Sequence, residues 1–149
     1  LVERHRGTGA VVNGFVSGFG YSGSMAIASS VAHDSHHMIV VGTNHEMMAS
    51  AANRLGEVGG GVTLWKDGSE VALVELPIAG LMSDIEASEV ALKTQNIVQA
   101  MTDCGCNLNN AYMQHTLLAL VVIPELRISD LGLVDVNRFE LTEVIGSKP

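Results

Sequence analysis

The sequence predicts an α+β fold in which a mixed or largely antiparallel sheet layer packs with about three helices. Two strand-like runs flank Asp67-Gly68, a pair typical of tight hairpin turns because both residues tolerate positive φ. Two further stretches carry apolar residues at helical spacing, and short strand-like runs lie between and after them. Tight strand pairs beside strand–helix–strand connections favour a mixed or antiparallel layer.

Length and composition limit the class of protein. The 149 residues suffice for a single domain, 1–149, and 47% hydrophobic with 16% charged residues is typical of a globular chain. The net charge of −8 argues against a nucleic-acid or anionic-membrane surface, since phosphate binding requires clustered Lys and Arg. The longest apolar run, 117–123, is far too short to span a bilayer. The chain begins at Leu1 without a signal-peptide pattern, so we expect a piece of a longer or processed polypeptide.

The first half of the chain is expected to contain three strands, a glycine-rich loop and one helix. Gly18-x-Gly20-x-x-Gly23 formally matches the dinucleotide fingerprint, but no acidic residue or helix follows in the required context, so we expect a structural loop. The helix should begin at a capping box, Thr43-x-x-Glu46, and end at glycines 59–61. The expected strands are 10–16, 24–31 and 38–41, with the loop at 17–24.

The second half is expected to contain the hairpin, two more helices and several short strands. A second capping box, Ser83-x-x-Glu86, predicts a helix from Asp84 to about Thr102. A shorter helix should follow from 111 toward 123, where Pro124 ends it. The expected strands are 62–65 and 70–76 in the hairpin, then 126–128, 133–136 and 139–144.

The two cysteines, Cys104 and Cys106, predict reduced thiols in a cytoplasmic protein, because two cysteines make no disulfide framework. A metal site built on this Cys-x-Cys pair would lack a second pair of ligands. We therefore expect no metal site at this cysteine pair.

The candidate functional residues are His33, Asp34, Ser35 and His36, which lie with His37 in a crowded run of ionisable groups after a stretch of small residues. Imidazoles could transfer protons, and the carboxylate could orient them. A strand would separate neighbouring side chains onto opposite faces, whereas a helix would place His33 and His37 one turn apart, at a metal-ligand spacing. Metal binding, acid–base or substrate contact, and structural hydrogen bonding of buried groups therefore stay open.

Several motifs in order resemble a known family over essentially the whole chain. Together they are similar to the C-terminal domain of bacterial and archaeal adenine deaminases, in the amidohydrolase superfamily. The motifs are G-F-V-S-G-F-G (14–20), A-I-A-S-S-V-A-H-D-S-H-H (26–37), V-G-T-N (41–44), N-R-L-x-x-x-G-G-G-V (53–62), E-L-P-I-A-G-L-M-S-D (75–84) and V-I-P-E-L-R-I-S-D-x-G-L-V-D-V (122–136).

The resemblance implies an enzyme that hydrolyses adenine to hypoxanthine and ammonia. It implies a divalent metal, manganese or iron, held in an N-terminal (β/α)8 barrel that this chain lacks, so the isolated domain should be inactive. The partners implied are that barrel, adenine and a homo-oligomer. His33, Asp34, Ser35 and His36 match the family's run, so we expect them to face the barrel mouth.

Two other interpretations stay open at this point. The domain could be non-catalytic, serving packing and oligomer formation with a purely structural polar cluster. It could also be an independent small-molecule binding module that shares the fold.

Overall fold

The computed structural model describes residues 1–145 as three helices and seven strands in two sheets. This confirms the α+β prediction, with every neighbouring strand pair of the described residues antiparallel. The strands are β1 (Met25–Ser29), β2 (Ile39–Gly42), β3 (Gly61–Lys66), β4 (Ser69–Glu75), β5 (Leu126–Ser129), β6 (Gly132–Asp135) and β7 (Glu140–Thr142), and the helices are α1 (His45–Val58), α2 (Ala87–Asp103) and α3 (Ala111–Thr116), the last followed by a 3-10 turn at Leu117–Ala119.

The main sheet has the order β2-β1-β3-β4 and lies between α1 and α2. All five residues of β1 are buried, which matches the expected strand of small residues. Met25 and Ile27 pack in the cluster that contains α2, whereas Ala26 and Ala28 pack against α1. This alternation follows from the two-residue period of a strand, and the small side chains on one face allow α1 to approach closely.

The second sheet, with the order β5-β6-β7, lies beside this core. Residues 10–16 do not form the expected strand, although Val11 makes an isolated bridge with Val2. At Gly14 the segment instead lies against the second sheet, where an added Cβ would be 3.7 Å from the Ile128 side chain. Asn13-Gly14 interrupts the apolar alternation, and Phe15 is 92% exposed, so no buried strand face can form.

The predicted β3–β4 hairpin is confirmed. Asp67 and Gly68 connect its strands with φ values of 49° and 88°. Both residues have positive φ, which matches the twist of the flanking strands and explains the preference for this pair.

Helix α1 is present, but its capping residue is Asn44 and not the predicted Thr43. The Asn44 side-chain oxygen accepts a hydrogen bond from the Met47 amide at 3.1 Å. The Thr43 hydroxyl instead donates to the Gly23 carbonyl at 2.6 Å, which fixes the start of β1. Gly59 ends the helix in the left-handed conformation at φ 82°, as the glycine run predicts.

The other two helices are shorter than predicted. Helix α2 begins at Ala87, after Glu86, which makes no side-chain capping bond, and Ser83 lies in the irregular segment that precedes the helix. Helix α3 ends at Thr116, and the 3-10 turn continues it only to Ala119, so the helical segment stops short of the predicted end near 123. The Thr116 hydroxyl donates to the Met113 carbonyl at 2.8 Å at the point where the α-helix gives way to the 3-10 turn.

Candidate functional site

Residues 33–36 form a tight turn between β1 and β2, and neither the strand nor the helix considered from sequence. The His36 amide donates to the Ala32 carbonyl at 2.7 Å, and the Ala32 amide donates to His36 Nδ1 at 3.2 Å. His36 itself has φ 53°, a conformation that a turn tolerates but a strand does not. The metal-ligand spacing expected from a helix therefore does not arise here.

The turn brings the four candidate side chains together at the surface. Asp34 and Ser35 are exposed, and His33 and His36 are half-buried. The rings of His33 and His36 pack edge to face with centroids 5.4 Å apart. Two imidazoles, a carboxylate and a hydroxyl thus lie within one turn, although what they do stays a prediction.

The hydrogen bond to Nδ1 defines the chemistry that His36 can perform. Because Nδ1 accepts the Ala32 amide proton, the ring proton of the neutral form lies on Nε2. Burial lowers the pKa of His36, and the neighbouring His33 and Arg4 lower it further. At neutral pH the His36 ring is therefore an uncharged hydrogen-bond donor through Nε2, and it could act as a base only after breaking the Ala32 bond.

His37 points into the protein, where its ring packs against that of His5 with centroids 4.7 Å apart. It is buried, its Nδ1 accepts from the Arg4 amide at 3.4 Å, and its Nε2 lies 3.7 Å from an Asp130 carboxylate oxygen. Burial lowers the pKa of His37, with Asp130 acting in the opposite direction. His37 thus connects the N-terminal segment to the second sheet.

Arg4 is a residue of this surface that sequence reasoning missed. Its Nε donates to the His36 carbonyl at 2.5 Å and its Nη2 donates to the Ala79 carbonyl at 3.0 Å. The neighbouring His5 approaches the same turn, with Nε2 2.5 Å from the Ser35 carbonyl oxygen. These contacts join residues 30 to 75 positions apart, so no local sequence pattern could have indicated them.

The buried carboxylate of Glu3 orders the segment that carries Arg4 and His5. It accepts hydrogen bonds from the amides of His5, Arg6 and Thr8 and from the Thr8 hydroxyl, at 2.6, 2.7, 3.0 and 2.8 Å. These bonds, those from Thr8 and Arg6 first, lower the pKa of Glu3 to about 2. The ionised carboxylate therefore holds this loop in place at neutral pH.

The sequence analysis also did not single out His115, which lies in the core beneath the glycine-rich loop. The Tyr21 hydroxyl lies 3.0 Å from His115 Nε2, and His115 Nδ1 donates to the Ala111 carbonyl at 3.0 Å. Burial lowers the pKa of His115 to about 4. Phe19 packs on both rings, so this aromatic pair of the loop belongs to the core and not to the His33–His36 surface.

Metal ligation is not organised among residues 1–145, where no three His, Cys, Asp or Glu side chains converge. Cys104 and Cys106 are buried free cysteines, and burial raises the pKa of the Cys104 thiol. A protonated buried thiol is a poor metal ligand. In the described part of the chain, no helix has the length and apolarity needed to cross a membrane.

The chain matches one protein family and many of its members. A family model described as the adenine deaminase C-terminal domain matches residues 1–140. An adenine deaminase of Roseobacter denitrificans is 76% identical over 147 residues, covering 99% of this chain and 24% of that protein. Those of Paracoccus denitrificans and Moorella thermoacetica are 74% and 46% identical over 145 residues, each covering 97% of this chain and 24% of the relative.

This chain spans about a quarter of the length of the curated relatives that it matches, 24% in each of these three. The family match over residues 1–140 includes all three helices and every strand up to the first residue of β7. The chain therefore belongs to the adenine deaminase C-terminal domain family.

Proposed function

We propose that this chain is the C-terminal part of an enzyme that hydrolyses adenine to hypoxanthine and ammonia. The observation that carries the proposal is the identity of 74–76% to proteins named adenine deaminase, over 97–99% of this chain. Identity at this level along a whole domain supports a shared role, and not only a shared fold. The proposal extends to adenine as the substrate and to a cytoplasmic location, in accord with the two free cysteines.

The catalytic metal of such an enzyme would lie outside this chain. Among residues 1–145, no group of three ligating side chains fits a metal ion, so the described residues offer no place for it. We propose that an N-terminal barrel in the larger remainder of the polypeptide holds the manganese or iron and binds adenine. This chain by itself should release no ammonia from adenine.

The contribution that we propose for this domain is the surface formed by His33, Asp34, Ser35 and His36. These side chains share one turn, two are exposed and two are half-buried, and Arg4 holds the turn from behind. The Nε2–H of His36 offers a donor to an acceptor on the facing domain or on the substrate. A domain packed over a barrel mouth can exclude water and complete the pocket, which is the role that we assign to this turn.

The test substitutes the turn in the full-length enzyme. His33→Ala and Asp34→Ala should each lower turnover of adenine without unfolding the protein, because neither side chain is in the core. Steady-state kinetics with hypoxanthine and ammonia as products measures the effect, and a thermal melt checks folding. The matched control is His45→Ala, which removes an exposed imidazole at the first residue of α1.

Unchanged kinetics in folded His33→Ala and Asp34→Ala enzymes would assign the turn a structural role only. Deamination of adenine by this chain alone would refute the larger proposal, since it would require a catalytic site within these residues.

A further inference from the structure

An apolar turn lies beside the candidate site. The turn, residues 77–85, displays four large apolar side chains, and two of them are exposed by 45% (Ile78) and 58% (Met82). Leu81 and Ile85 are also exposed. Solvation of such side chains is unfavourable, and clustered apolar side chains rimmed by polar groups are typical of binding surfaces.

The backbone of this turn is fixed, so its side chains are presented in one arrangement. Ile78 and Met82 each donate an amide hydrogen to the carbonyl of the other at 3.1 Å. The buried Ser30 hydroxyl donates to the Gly80 carbonyl at 2.6 Å. Because these bonds hold the polar backbone inward, little conformational entropy is lost when a partner covers the turn.

Arg4 places this turn next to the imidazoles. One guanidinium donates to the His36 carbonyl and to the Ala79 carbonyl, at 2.5 and 3.0 Å. The same guanidinium lies against Gly80, where an added Cβ would be 2.9 Å from Nη1. The polar turn 33–36 and the apolar turn 77–85 are therefore separated by the width of one side chain. A polar patch beside an apolar one is the usual composition of a protein interface.

The relatives indicate what covers this surface. Each of the three is about four times as long as the segment matching this chain, which is 24% of its length. Most of the polypeptide therefore lies outside these residues. Phe15 and Phe139 are more exposed than Met82, but among the described residues no backbone hydrogen bond joins either of them to the 33–36 turn.

We propose that the 77–85 turn is the apolar anchor by which this domain docks on the larger N-terminal part of its own polypeptide, and that Ile78 and Met82 insert into an apolar recess there. The docking positions residues 33–36 over the substrate site, and in this respect the inference rests on the proposed function. Ile78 and Met82 act by positioning and do not touch the substrate.

Methionine oxidation in the full-length enzyme tests the anchor without relying on activity. Under hydroxyl-radical footprinting, Met82 should react as slowly as Met25 and Met101, which are fully buried in the core. A short methionine peptide in the same solution sets the rate for full exposure. Oxidation of Met82 near the peptide rate would overturn the proposal, since this side chain would then be open to solvent in the intact enzyme.

A matched pair of variants tests the cause of the protection. Ile78→Asp should expose Met82 to oxidation, because docking would bury an unpaired carboxylate. Leu92→Asp, at a position on α2 that is 58% exposed as Met82 is, should leave Met82 protected. Slow oxidation of Met25 and Met101 in both variants shows that the domain stays folded. Continued protection of Met82 in Ile78→Asp would contradict the anchor.

Measuring the protection of Met82 at decreasing enzyme concentration shows whether the same polypeptide or a second copy covers the turn. Protection of Met82 that is independent of concentration, in a particle whose mass stays constant, supports docking within one polypeptide. Protection that disappears as oligomers dissociate would overturn it and assign the turn to a second copy. If the full-length enzyme is inactive but Met82 is protected, the proposed function is wrong and the docking proposal stands. If the enzyme is active but Met82 reacts freely, the docking proposal is wrong and the proposed function stands.

Discussion

The buried imidazole of His115 should make the stability of this domain depend on pH. Its side chain is 1% exposed and hydrogen-bonded to the Tyr21 hydroxyl, and burial lowers its pKa from 6.5 to about 4. The folded state therefore holds the neutral ring, and the unfolded chain takes up the proton first as pH falls. The contribution of the neutral His115 ring to the free energy of unfolding is complete above pH 6.5, the pKa in the unfolded chain. It is lost as pH falls toward the folded-state pKa of about 4.

The size of the effect follows from the two pKa values. With 6.5 in the unfolded chain and about 4 in the folded domain, the free energy of unfolding should fall by about 2 kcal/mol between about pH 7.5 and about pH 5 from His115 alone. The limit at lower pH is about 3 kcal/mol, since one pKa unit corresponds to about 1.4 kcal/mol.

Denaturant unfolding of the wild-type chain and of His115→Gln over this pH range measures the effect. The glutamine amide can accept the Tyr21 hydrogen bond and does not titrate. The free energy of unfolding of the variant should therefore fall less with acidification than that of the wild-type chain. Carboxylates and the other histidines titrate in both proteins, so their contributions cancel when the two free energies of unfolding are subtracted. Parallel pH profiles for the two proteins would refute the reasoning, as would an NMR titration of His115 with a midpoint near that of a free imidazole.

Two further predictions concern the contacts of Ser30 and Gly60 with Gly80, and a third concerns helix α1. Ser30→Ala should lower the free energy of unfolding by about 3 kcal/mol, measured by denaturant titration, because the Gly61 amide and the Gly80 carbonyl both lose a buried partner. Gly60→Ala should cost more than about 2 kcal/mol in the same assay, since its φ is 117° and its Cβ would lie 2.5 Å from the Gly80 Cα. Gly56→Ala, in helix α1 with nothing within 4 Å, should raise the melting temperature by stabilising the domain by up to about 1 kcal/mol. A destabilised Gly56→Ala or a wild-type-like Gly60→Ala would contradict the assigned packing.

The fold class and most elements could be predicted from the sequence because their causes are local. The β3–β4 hairpin depends on two residues that accept positive φ, and α1 depends on apolar spacing and a glycine stop. The error at the start of α1 has a cause that is not local, because it involves two residues that are 20 positions apart. Thr43 and Asn44 both suit a helix cap, and only the hydrogen bond from Thr43 to Gly23 decides between them.

The candidate site, too, has features that depend on the local sequence and features that depend on the tertiary structure. The sequence by itself determined that His33, Asp34, Ser35 and His36 are neighbours in the chain, and that they match the family's run. Only the tertiary structure decided that they form a turn at the surface, with His36 holding its Nδ1 lone pair toward the Ala32 amide.

The tertiary structure also decided what surrounds these residues. Arg4 meets His36 and Ala79 across separations of 32 and 75 residues, and Tyr21 meets His115 across 94. Helix periodicity, caps and tight turns are set by interactions among a few consecutive residues, so they can be predicted from a short stretch of sequence. Contacts between distant segments exist only after the two sheets and the helices have packed, because packing brings those segments together and excludes the water that would otherwise bind their polar groups.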